Sequence, residues 1–372
     1  MNKIKIILIE DDEGQRDIFH NSVEVYEDQH SCKIEVICAE SLEGANQQID
    51  LSFDGAIIDL QLKEEEEGGN KVADNILEKF PRIPIIFVTG YPDLVNNNNP
   101  LIINTRARAD GTYAEDLTRL WEIYHTGLTR ILGGRGRIEQ VLNSVFQKNL
   151  LPYLDPWKTY GANDPSRTEK ALLRFTLNHL IQILDDDEDQ CFPEEVYIYP
   201  PLIKGFKTGS IVKGKDNEIL YVILSPACDL AVRSEGQINT DRILLVEIDM
   251  EQKVYGHIFK RIDKGDTVDS EDKQNRKEEV LNRAFRNQHT LYHHWLPKTS
   301  FFLGGFVNFR KLSALSKKEC RKKFNEPHIQ ISPHFVKDIL SRFSSYYARQ
   351  GQPDIDRNKI IEEVIVSSAG TK

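Results

Sequence analysis

The sequence lacks the long apolar runs from which membrane-spanning helices are built. Its apolar stretches, such as residues 4–9 with Lys5 inside, have the length of a strand, whereas a membrane helix needs about 20 apolar residues. The N-terminus also lacks the apolar core and the small-residue cleavage site of a secretory signal. We therefore expect a cytoplasmic protein that does not bind a membrane.

Cysteine is scarce, and its spacing excludes the common structural zinc sites. The chain has five cysteines, and no two of them form a C-x-x-C pair. An odd, scattered set without a secretory signal is typical of reduced thiols rather than of a disulfide framework. The five are Cys32, Cys38, Cys191, Cys228 and Cys320.

Positive charge is in deficit, because 48 Lys and Arg residues face 58 Asp and Glu residues, which gives a formal net charge of −10. This balance argues against a protein that coats nucleic acid with its whole surface. A local basic stretch nevertheless follows three phenylalanines, and such a combination can track a phosphate backbone. A basic run is more often a solvated helix face, so nucleic acid is the less favoured partner. The stretch comprises Lys311, Lys317, Lys318, Arg321, Lys322 and Lys323, and the phenylalanines are Phe302, Phe306 and Phe309.

What the sequence does contain, over residues 3–104, is an alternation of strand-length apolar segments and segments of helical spacing. Strands are predicted at residues 5–9, 34–37, 56–60, 84–88 and 101–103. Strands without polar alternation are buried on both faces, as in parallel sheets that helices cover. The order predicts an α/β fold with a doubly wound five-stranded parallel sheet and right-handed crossovers.

A helical connector is predicted at residues 113–155, between a first domain at 1–112 and a C-terminal domain at 156–372. Gly133-Gly134 interrupts its helical pattern. Its first helix carries an apolar stripe that is larger than one covering helix needs. We expect this stripe to pack on a second copy or on the C-terminal domain, and a homodimer through residues 114–151 is one outcome. The stripe comprises Leu117, Leu120, Trp121, Tyr124 and Leu128.

The C-terminal domain is predicted to be α+β, with a small curved sheet or barrel. Short β-rich segments dominate it, among them residues 219–224, 243–248, 254–259 and 301–309. Two helices are predicted to follow, at about residues 335–347 and 359–366. This half resembles no family of known activity.

Acidic and hydroxyl side chains follow three of the predicted parallel strands. Glu10 and Asp11 come directly after the first strand, Asp59 ends the third, and Thr89 ends the fourth. The carboxyl ends of neighbouring parallel strands form a common crevice, so we expect these side chains to lie close together. Carboxylate oxygens are the ligands that Mg²⁺ prefers, and acids around a shared site repel one another until a cation binds. The sequence therefore predicts a magnesium site at Glu10, Asp11 and Asp59.

The first domain resembles the receiver domain of bacterial response regulators over residues 3–105. The resemblance implies that Asp59 is the phospho-acceptor, and that Mg²⁺ binds Asp11 directly and Glu10 through water. It implies the Gln61 backbone carbonyl as a further metal ligand and the Thr89 hydroxyl as a partner of the phosphoryl oxygen. The matching motifs are Ile7-Leu8-Ile9-Glu10-Asp11-Asp12-Glu13, Ile57-Ile58-Asp59-Leu60-Gln61-Leu62 and Ile86-Phe87-Val88-Thr89-Gly90.

Three features depart from the receiver pattern. The Lys that receivers place at the end of strand five is missing, and Arg106 is a candidate replacement. Because Arg is bulkier and planar, we expect Arg106 not to act as that Lys. The aromatic switch residue is also missing from strand five, where Leu101 and Ile103 are the candidates. Residues 92–100 are too short and too rich in Asn for a full fourth helix.

The resemblance also implies a phosphodonor, namely a histidine kinase or a kinase-like ATPase. The departures make the domain similar to the atypical receivers of bacterial conflict or antiphage operons, which implies a role in antiviral defence. Two interpretations stay open. Phosphorylation of Asp59 regulates a C-terminal domain that binds a partner, or the protein is a phosphate sink that competes with another receiver for one kinase.

A third interpretation, from a different class, makes the C-terminal domain an enzyme. Cys228 follows a predicted strand and could act as a nucleophile if His257, His293 or His294 lay beside it. A small buried thiol at a turn is the commoner reason for such a cysteine. His289, His293 and His294 could also bind a metal, although half-buried structural histidines are the default.

Overall fold

The chain divides into two compact units, Met1–Glu188 and Asp189–Lys372. The computed structural model describes residues 3–63, 65–183, 190–232, 238–264, 270–349 and 356–369. Among these residues, no helix is both long enough and apolar enough to cross a bilayer. The finer predicted division, with boundaries after residues 112 and 155, stays a prediction.

Unit 1 contains a five-stranded parallel sheet in the order β2-β1-β3-β4-β5. The predicted doubly wound sheet is therefore confirmed. Its strands are β1 (Lys3–Ile9), β2 (Lys33–Ala39), β3 (Gly55–Ile58), β4 (Ile85–Thr89) and β5 (Ile102–Ala107). Its helices are α1 (Glu13–His30), α2 (Leu42–Gln48), α3 (Gly68–Lys79), α4 (Tyr113–His125), α5 (Leu128–Leu132), α6 (Arg137–Val145), α7 (Leu154–Asn163) and α8 (Pro165–Gln182).

Both faces of this sheet are buried, which explains the unbroken apolar character of its strands. On one face, Ile7 and Ile9 of β1 pack with α2 and α3. On the other face, Ile6 and Leu8 pack with α1 and α4. Because successive side chains of a strand point to opposite faces, each strand must be apolar at every position to serve both layers.

Most of the apolar stripe of α4 is used inside unit 1. Leu117, Leu120 and Tyr124 are buried against the chain's own sheet and α1, and Trp121 packs beside them. The prediction that these residues pack on a second copy or on the C-terminal domain is therefore wrong. The size of an apolar stripe does not show which surface it covers, and here the stripe covers one face of the first sheet. Leu128 lies beyond this layer and is exposed.

The connection between β4 and β5 contains one short 3₁₀ turn, Pro92–Leu94, in place of a helix. The predicted shortness of this segment agrees with the structure. The predicted fifth strand, at residues 101–103, was too short, because β5 begins at Ile102 and continues to Ala107. The second half of β5 is largely polar, so a prediction based on apolar runs ended the strand too early.

Unit 2 contains a seven-stranded antiparallel sheet in the order β10-β11-β9-β8-β7-β12-β6. The predicted small curved sheet is confirmed, and an irregularity in β11 between Val307 and Leu312 adds local bending. Its strands are β6 (Tyr197–Ile198), β7 (Ser210–Lys213), β8 (Leu220–Ile223), β9 (Ile243–Asp249), β10 (His293–Leu296), β11 (Gly305–Leu315) and β12 (Ile329–Ile331). Its helices are α9 (Ala227–Leu230), α10 (Glu251–Asp263), α11 (Ser270–Phe285), α12 (Lys317–Lys323), α13 (Pro333–Tyr347) and α14 (Arg357–Ala369).

The predicted strand at residues 254–259 is wrong, because this segment forms part of α10. Val254 is buried against Ala284 and Phe306, with Tyr255 beside it. Ile258 and Phe259 are also partly buried. Apolar residues at 254, 255, 258 and 259 have helical spacing. The β-branched and aromatic residues favoured a strand locally, and packing against α11 and the sheet decided for a helix.

Gly69, in the first turn of α3, fixes how closely this helix approaches the end of β3. A Cβ at this position would lie 2.2 Å from the carbonyl oxygen of Asp59. We expect Gly69→Ala to lower the free energy of unfolding by about 1–3 kcal/mol, the usual cost of overpacking. Urea denaturation followed by circular dichroism measures this change.

Gly161→Ala is the matched control, because Gly161 lies in α7 and has no heavy atom within 4 Å of an added Cβ. Alanine in a helix is more favourable than glycine, so this variant should be unchanged or slightly more stable. Equal denaturation midpoints for the two variants would contradict the close approach at Gly69.

Candidate functional site

Three carboxylates meet at the carboxyl-terminal edge of the first sheet. Glu10 and Asp11 follow β1, Asp59 follows β3, and one carboxylate oxygen of each lies within 4.8 Å of the others. The Asp59 amide donates a hydrogen bond of 2.8 Å to the Ile9 carbonyl, which fixes the two strand ends side by side. The structure thus brings together the three acids that the sequence placed at one sheet edge, and we call them the acid cluster.

Arg108, which the sequence reasoning did not single out, reaches into the acid cluster. Its Nη2 lies 2.9 Å from Glu10 Oε2 and 2.9 Å from Asp59 Oδ2. Its backbone amide donates to the Thr89 carbonyl at 3.1 Å, so the end of β4 positions it. The signal was present in the sequence, because Arg108 directly follows β5, but the predicted end of that strand lay four residues too early.

Arg106, the candidate replacement for the receiver lysine, points elsewhere. Its Nε lies 2.9 Å from Asp116 Oδ2 in α4, and its Nη2 contacts the same carboxylate. Both side chains are buried. Burial raises the pKa of Asp116, and the Arg106 guanidinium opposes that rise. Arg106 therefore ties β5 to α4, and Arg108 is the guanidinium that faces the acid cluster.

Burial and mutual repulsion shape the protonation of the acid cluster. Burial, followed by the charge of Asp59, raises the pKa of Glu10 to about 7. Burial also raises the pKa of Asp59, while the nearby Thr89 hydroxyl and Arg108 oppose the rise. Stability from the protonated form of Glu10 is therefore present at acidic pH and is lost as pH rises through about 7. A cation that binds the cluster near neutral pH competes with this proton.

Two buried atoms at this site have no hydrogen-bond partner among the described residues. They are Asp59 Oδ1, an acceptor, and Arg108 Nε, a donor. A buried polar group without a partner is costly, and such groups mark places where a ligand completes the site. Three carboxylates with an orphaned oxygen suit a hard cation such as Mg²⁺. The acid cluster therefore fits the predicted metal, and its orphaned donor suits an anion beside it.

The loops around the acid cluster are held by specific contacts. Asp12 caps α1 by accepting a 2.9 Å hydrogen bond from the Gln15 amide, and so supports the loop that carries Glu10 and Asp11. Arg16 donates to the carbonyls of Glu10 and Asp11 at 3.0 and 2.9 Å. The Lys63 amide donates to Asp11 Oδ2 at 2.9 Å. These contacts hold the β1–α1 loop and the segment after β3 against each other.

Thr89 and Gln61 occupy the places from which the resemblance implies they act. Thr89 ends β4, is fully buried, and accepts a 3.3 Å hydrogen bond from the Tyr91 amide through its hydroxyl. Gln61 lies two residues after Asp59, with an exposed side chain. The roles of the Thr89 hydroxyl and of the Gln61 carbonyl stay predictions.

The candidate residues of the C-terminal half do not converge in the structure. The Cys228 thiol is exposed and contacts its neighbour Asp229 at 3.6 Å. His293 and His294 lie on β10, where adjacent side chains face opposite sides, and they contact Asp249 and Asp338 respectively. The side chain of His257 lies outside the described residues.

His289, His293 and His294, for which metal binding was the less favoured interpretation, do not form a group placed to share an ion among the described residues. Within the part of the chain that the structure describes, the acid cluster is the one group of three or more His, Cys, Asp or Glu side chains placed to share an ion. The strand geometry of β10 separates the adjacent histidines, which the sequence alone left open.

The strand order of the first sheet is that of doubly wound flavodoxin-like folds, whose ligands bind at the carboxyl ends of the strands. The parallel sheet and the helices that cover it, in the N-terminal third of the chain, are receiver-like. Several solved structures are similar to this part of the chain.

One similar structure is the signal receiver domain of an HD domain-containing protein from Pseudomonas fluorescens Pf-5, with 17% identity over 34% of this chain and 97% of that chain, at a TM-score of 0.28. Another is the non-phosphorylated HemR receiver domain from Leptospira biflexa, with 22% identity over 32% and 93% of the two chains, at a TM-score of 0.27. A third is the response regulator TrrA from Thermotoga maritima in complex with Mg²⁺-BeF. It has 18% identity over 32% of this chain and 98% of that chain, at a TM-score of 0.25. No family model and no curated protein matches the sequence.

The different partners of the two arginines predict different effects on stability. Arg106→Ala leaves the buried Asp116 carboxylate unpaired, so we expect the free energy of unfolding to fall by about 3–5 kcal/mol. Arg108 is one-third exposed, so Arg108→Ala should lower it by no more than about 1 kcal/mol. Chemical denaturation of both variants measures the contrast.

A double variant separates the lost ion pair from lost packing. Replacing Arg106 with Met and Asp116 with Leu removes both charges and keeps apolar volume, so it should recover most of the stability lost in Arg106→Ala. Similar losses for Arg106→Ala and Arg108→Ala would contradict the assignment of partners.

Proposed function

We propose that unit 1 accepts a phosphoryl group on Asp59 in a Mg²⁺-dependent reaction and serves in two-component signalling. The observation that carries the proposal is the orphaned Asp59 Oδ1 inside the acid cluster, beside the orphaned Arg108 Nε–H. A residue that receives a phosphoryl group needs two things beside it. It needs oxygen ligands for a cation, and it needs an N–H donor for the anionic phosphoryl oxygens.

Glu10, Asp11 and Asp59 would hold the metal, together with the Gln61 carbonyl as the resemblance implies. When bound, Mg²⁺ supplies charge neutralisation between the carboxylates and the phosphoryl oxygens. The acid cluster offers oxygen ligands of the type this ion prefers.

Asp59 supplies the nucleophile. One of its carboxylate oxygens forms the new bond to phosphorus, while the bond from phosphorus to the donor's leaving group breaks and that group keeps the electron pair. The leaving group is an imidazole nitrogen of a phosphohistidine, or a carboxylate oxygen of acetyl phosphate. A carboxylate that attacks an anionic donor meets charge repulsion, which the surrounding cations must offset.

Arg108 and Thr89 act on the transferred group. The Nη2 atom of Arg108 already contacts both Glu10 and Asp59. Its Nε–H has no partner among the described residues and can donate to a phosphoryl oxygen. The Thr89 hydroxyl lies at the end of the neighbouring strand, where it can donate to another. In this proposal Arg108 serves where receivers use a lysine, with a planar fork in place of a point charge.

The partners and setting follow from the same proposal. A histidine kinase or kinase-like ATPase would supply the phosphoryl group, and the reaction would take place in the cytoplasm. The antiphage role that the resemblance implies stays a prediction. A homodimer through residues 114–151 also stays a prediction, but it would have to use side chains other than the buried Leu117, Leu120 and Tyr124.

Binding of Mg²⁺ with beryllofluoride, a phosphoryl mimic, tests the acceptor. We expect the wild-type chain to bind the mimic only when Mg²⁺ is present, and Asp59→Asn to lose that binding, because the acceptor carboxylate is gone. Arg108→Ala should weaken it, since a donor to the phosphoryl oxygens is removed. Titration calorimetry measures each affinity.

Asp54→Asn is the matched control, because Asp54 is also a buried aspartate at an end of β3 but pairs with Arg135 at 2.8 Å. It should bind the mimic as the wild type does. Labelling of Asp59 by acetyl phosphate, followed by mass spectrometry, should show the same ranking. Equal binding by the wild type and Asp59→Asn would reject Asp59 as the acceptor.

A regulator has more support than a phosphate sink, because the start of α4 interacts electrostatically with the acid cluster. Burial and then the charge of Glu10 raise the pKa of Tyr113, the first residue of α4, to about 12. The Arg106 guanidinium lies 5.4 Å from the Tyr113 ring and also pairs with Asp116. A phosphoryl group on Asp59 would change the electrostatic surroundings of this helix end.

Hydrogen exchange distinguishes the two interpretations. Under a regulator, Mg²⁺-beryllofluoride should change amide protection in the first two turns of α4, and Asp59→Asn should show no such change. Ligands shift a conformational equilibrium only through a difference in interaction between its states. Changes confined to the loops that contain Asp11, Asp59 and Thr89 would favour the phosphate sink.

A further inference from the structure

Two helices at the end of unit 1, α7 and α8, form an open groove between them. The helices join at Asp164, which caps α8 by accepting a 3.1 Å hydrogen bond from the Arg167 amide. Trp157 of α7 lies edge-on against Phe175 of α8, with ring centroids 5.7 Å apart, so the two helices pack against each other. The groove has a volume of about 530 Å³, and we call it the hairpin groove.

The wall that α8 contributes to the hairpin groove carries two arginines with a small residue between them. Arg167, Ala171 and Arg174 all line the groove. Their spacing of four and then three residues places them on one face of the helix. Ala171 has only a methyl group, so it leaves open the space between the two longer side chains.

The two guanidinium groups are available to a ligand. Arg167 and Arg174 are exposed, and neither side chain has a hydrogen bond or an ion pair to another described residue. Asp164 also lines the groove, and its carboxylate already accepts the Arg167 amide. Two arginines and one aspartate give the lining a net positive charge, which attracts anions to a chain of formal net charge −10.

The wall that α7 contributes is aromatic. Trp157 and Tyr160 line the groove from successive turns, with ring centroids 6.0 Å apart in an edge-to-face arrangement. Tyr160 is 56% exposed, so much of this ring can still be buried by a partner. Trp, Tyr and Arg are the residue types that most often carry the binding energy of protein interfaces.

A helix suits the hairpin groove better than an extended peptide or a nucleotide. The backbone groups of α7 and α8 are paired inside each helix, so a strand laid between them would leave its own amides and carbonyls without partners. A helix pairs its backbone internally and packs its side chains between those of its neighbours. Arg167 and Arg174 are two helical turns apart, about 10 Å along the axis, whereas the phosphates of one nucleotide are joined directly to one another.

We propose that the hairpin groove binds an acidic amphipathic helix of a partner protein, with two carboxylates, seven residues apart, on Arg167 and Arg174. An apolar side chain between those carboxylates would contact Ala171 and Tyr160. Seven residues return a side chain to the same face of a helix, so the carboxylate spacing matches the arginine spacing. Helices that lie in grooves are recognised through anchors at such spacings. α7 and α8 contribute no residue to the acid cluster, so the proposal does not depend on phosphorylation of Asp59.

Fluorescence anisotropy of the full chain with a labelled peptide tests the proposal. The probe is a helical peptide of about 20 residues, rich in Ala and Gln, with two Glu residues seven apart and a Leu between them on the same face. We expect saturable binding at about 50 mM salt, where charges are screened less than at physiological ionic strength. The same peptide with its Glu residues five apart should bind at least about fivefold more weakly, because one carboxylate then leaves the shared face.

Substitutions in α7 test the aromatic wall. Tyr160→Ala should weaken binding of the peptide about fivefold or more, as truncation of an interface anchor does. Lys158→Ala is the matched control, because this cation also lies on α7 but pairs with Asp155 and does not line the groove. It should bind the peptide as the wild type does. Circular dichroism checks that each variant is folded.

Charge reversal tests the pairing on α8. Arg174→Glu should weaken binding of the peptide at least about tenfold, because an attraction becomes a repulsion. One of the two peptides in which a single Glu is exchanged for Lys should bind Arg174→Glu more tightly than it binds the wild type. Such a reversal of preference is a coupling between two residues in contact.

Three results would overturn the proposal. The first is the absence of binding by the wild type at peptide concentrations up to about 1 mM, where even weak interfaces are populated. The second is equal binding of the peptide by the wild type and Arg174→Glu. The third is equal binding of the two Glu spacings together with displacement of the peptide by ATP at similar concentrations, because that result describes a general anion site.

Discussion

The repulsion among the carboxylates of the acid cluster is the constraint around which unit 1 is arranged. Parallel pairing of β1 with β3 forces Glu10, Asp11 and Asp59 to share one edge of the sheet. Burial increases the free-energy cost of keeping these carboxylates ionised, and it raises the pKa of Glu10. Arg108 offsets part of this repulsion by spanning Glu10 and Asp59. The remaining imbalance, with one orphaned carboxylate oxygen, is what gives the site its affinity for a cation in our proposal.

The two arginines near the end of β5 have different roles, one structural and one at the acid cluster. Arg106 is buried with Asp116 and fastens α4 to the sheet, while Arg108 lies beyond the strand and faces the acid cluster. A buried ion pair fixes one arrangement of two elements because separating it would leave a charge without a partner. The Arg106–Asp116 pair thus holds the first turn of α4 against the end of β5, two residues before Arg108.

Unit 2 presents a different kind of surface from unit 1. Its sheet is antiparallel, and helices cover separate parts of its faces, so loops and α12 leave concave regions between them. Cations gather in one such region although the chain as a whole is acidic.

The sequence by itself determined the first sheet and the placing of Glu10, Asp11, Asp59 and Thr89, because these depend on local patterns. Apolar runs mark buried parallel strands, and a polar residue directly after such a run must lie at the sheet edge. The seven-stranded sheet could be anticipated only in outline, since antiparallel pairing joins segments that are distant in sequence.

Tertiary structure alone decided which arginine faces the acid cluster, because Arg106 and Arg108 differ only by where β5 ends and by the presence of Asp116 on a later helix. It also decided that residues 254–259 are helical and that Phe302, Phe306 and Phe309 are buried in the core of unit 2 and cannot contact a phosphate backbone. In each case the deciding contacts join residues far apart in the chain. Periodicity and composition carry no information about such contacts, because they describe a residue by its neighbours in sequence and not by what folding places against it.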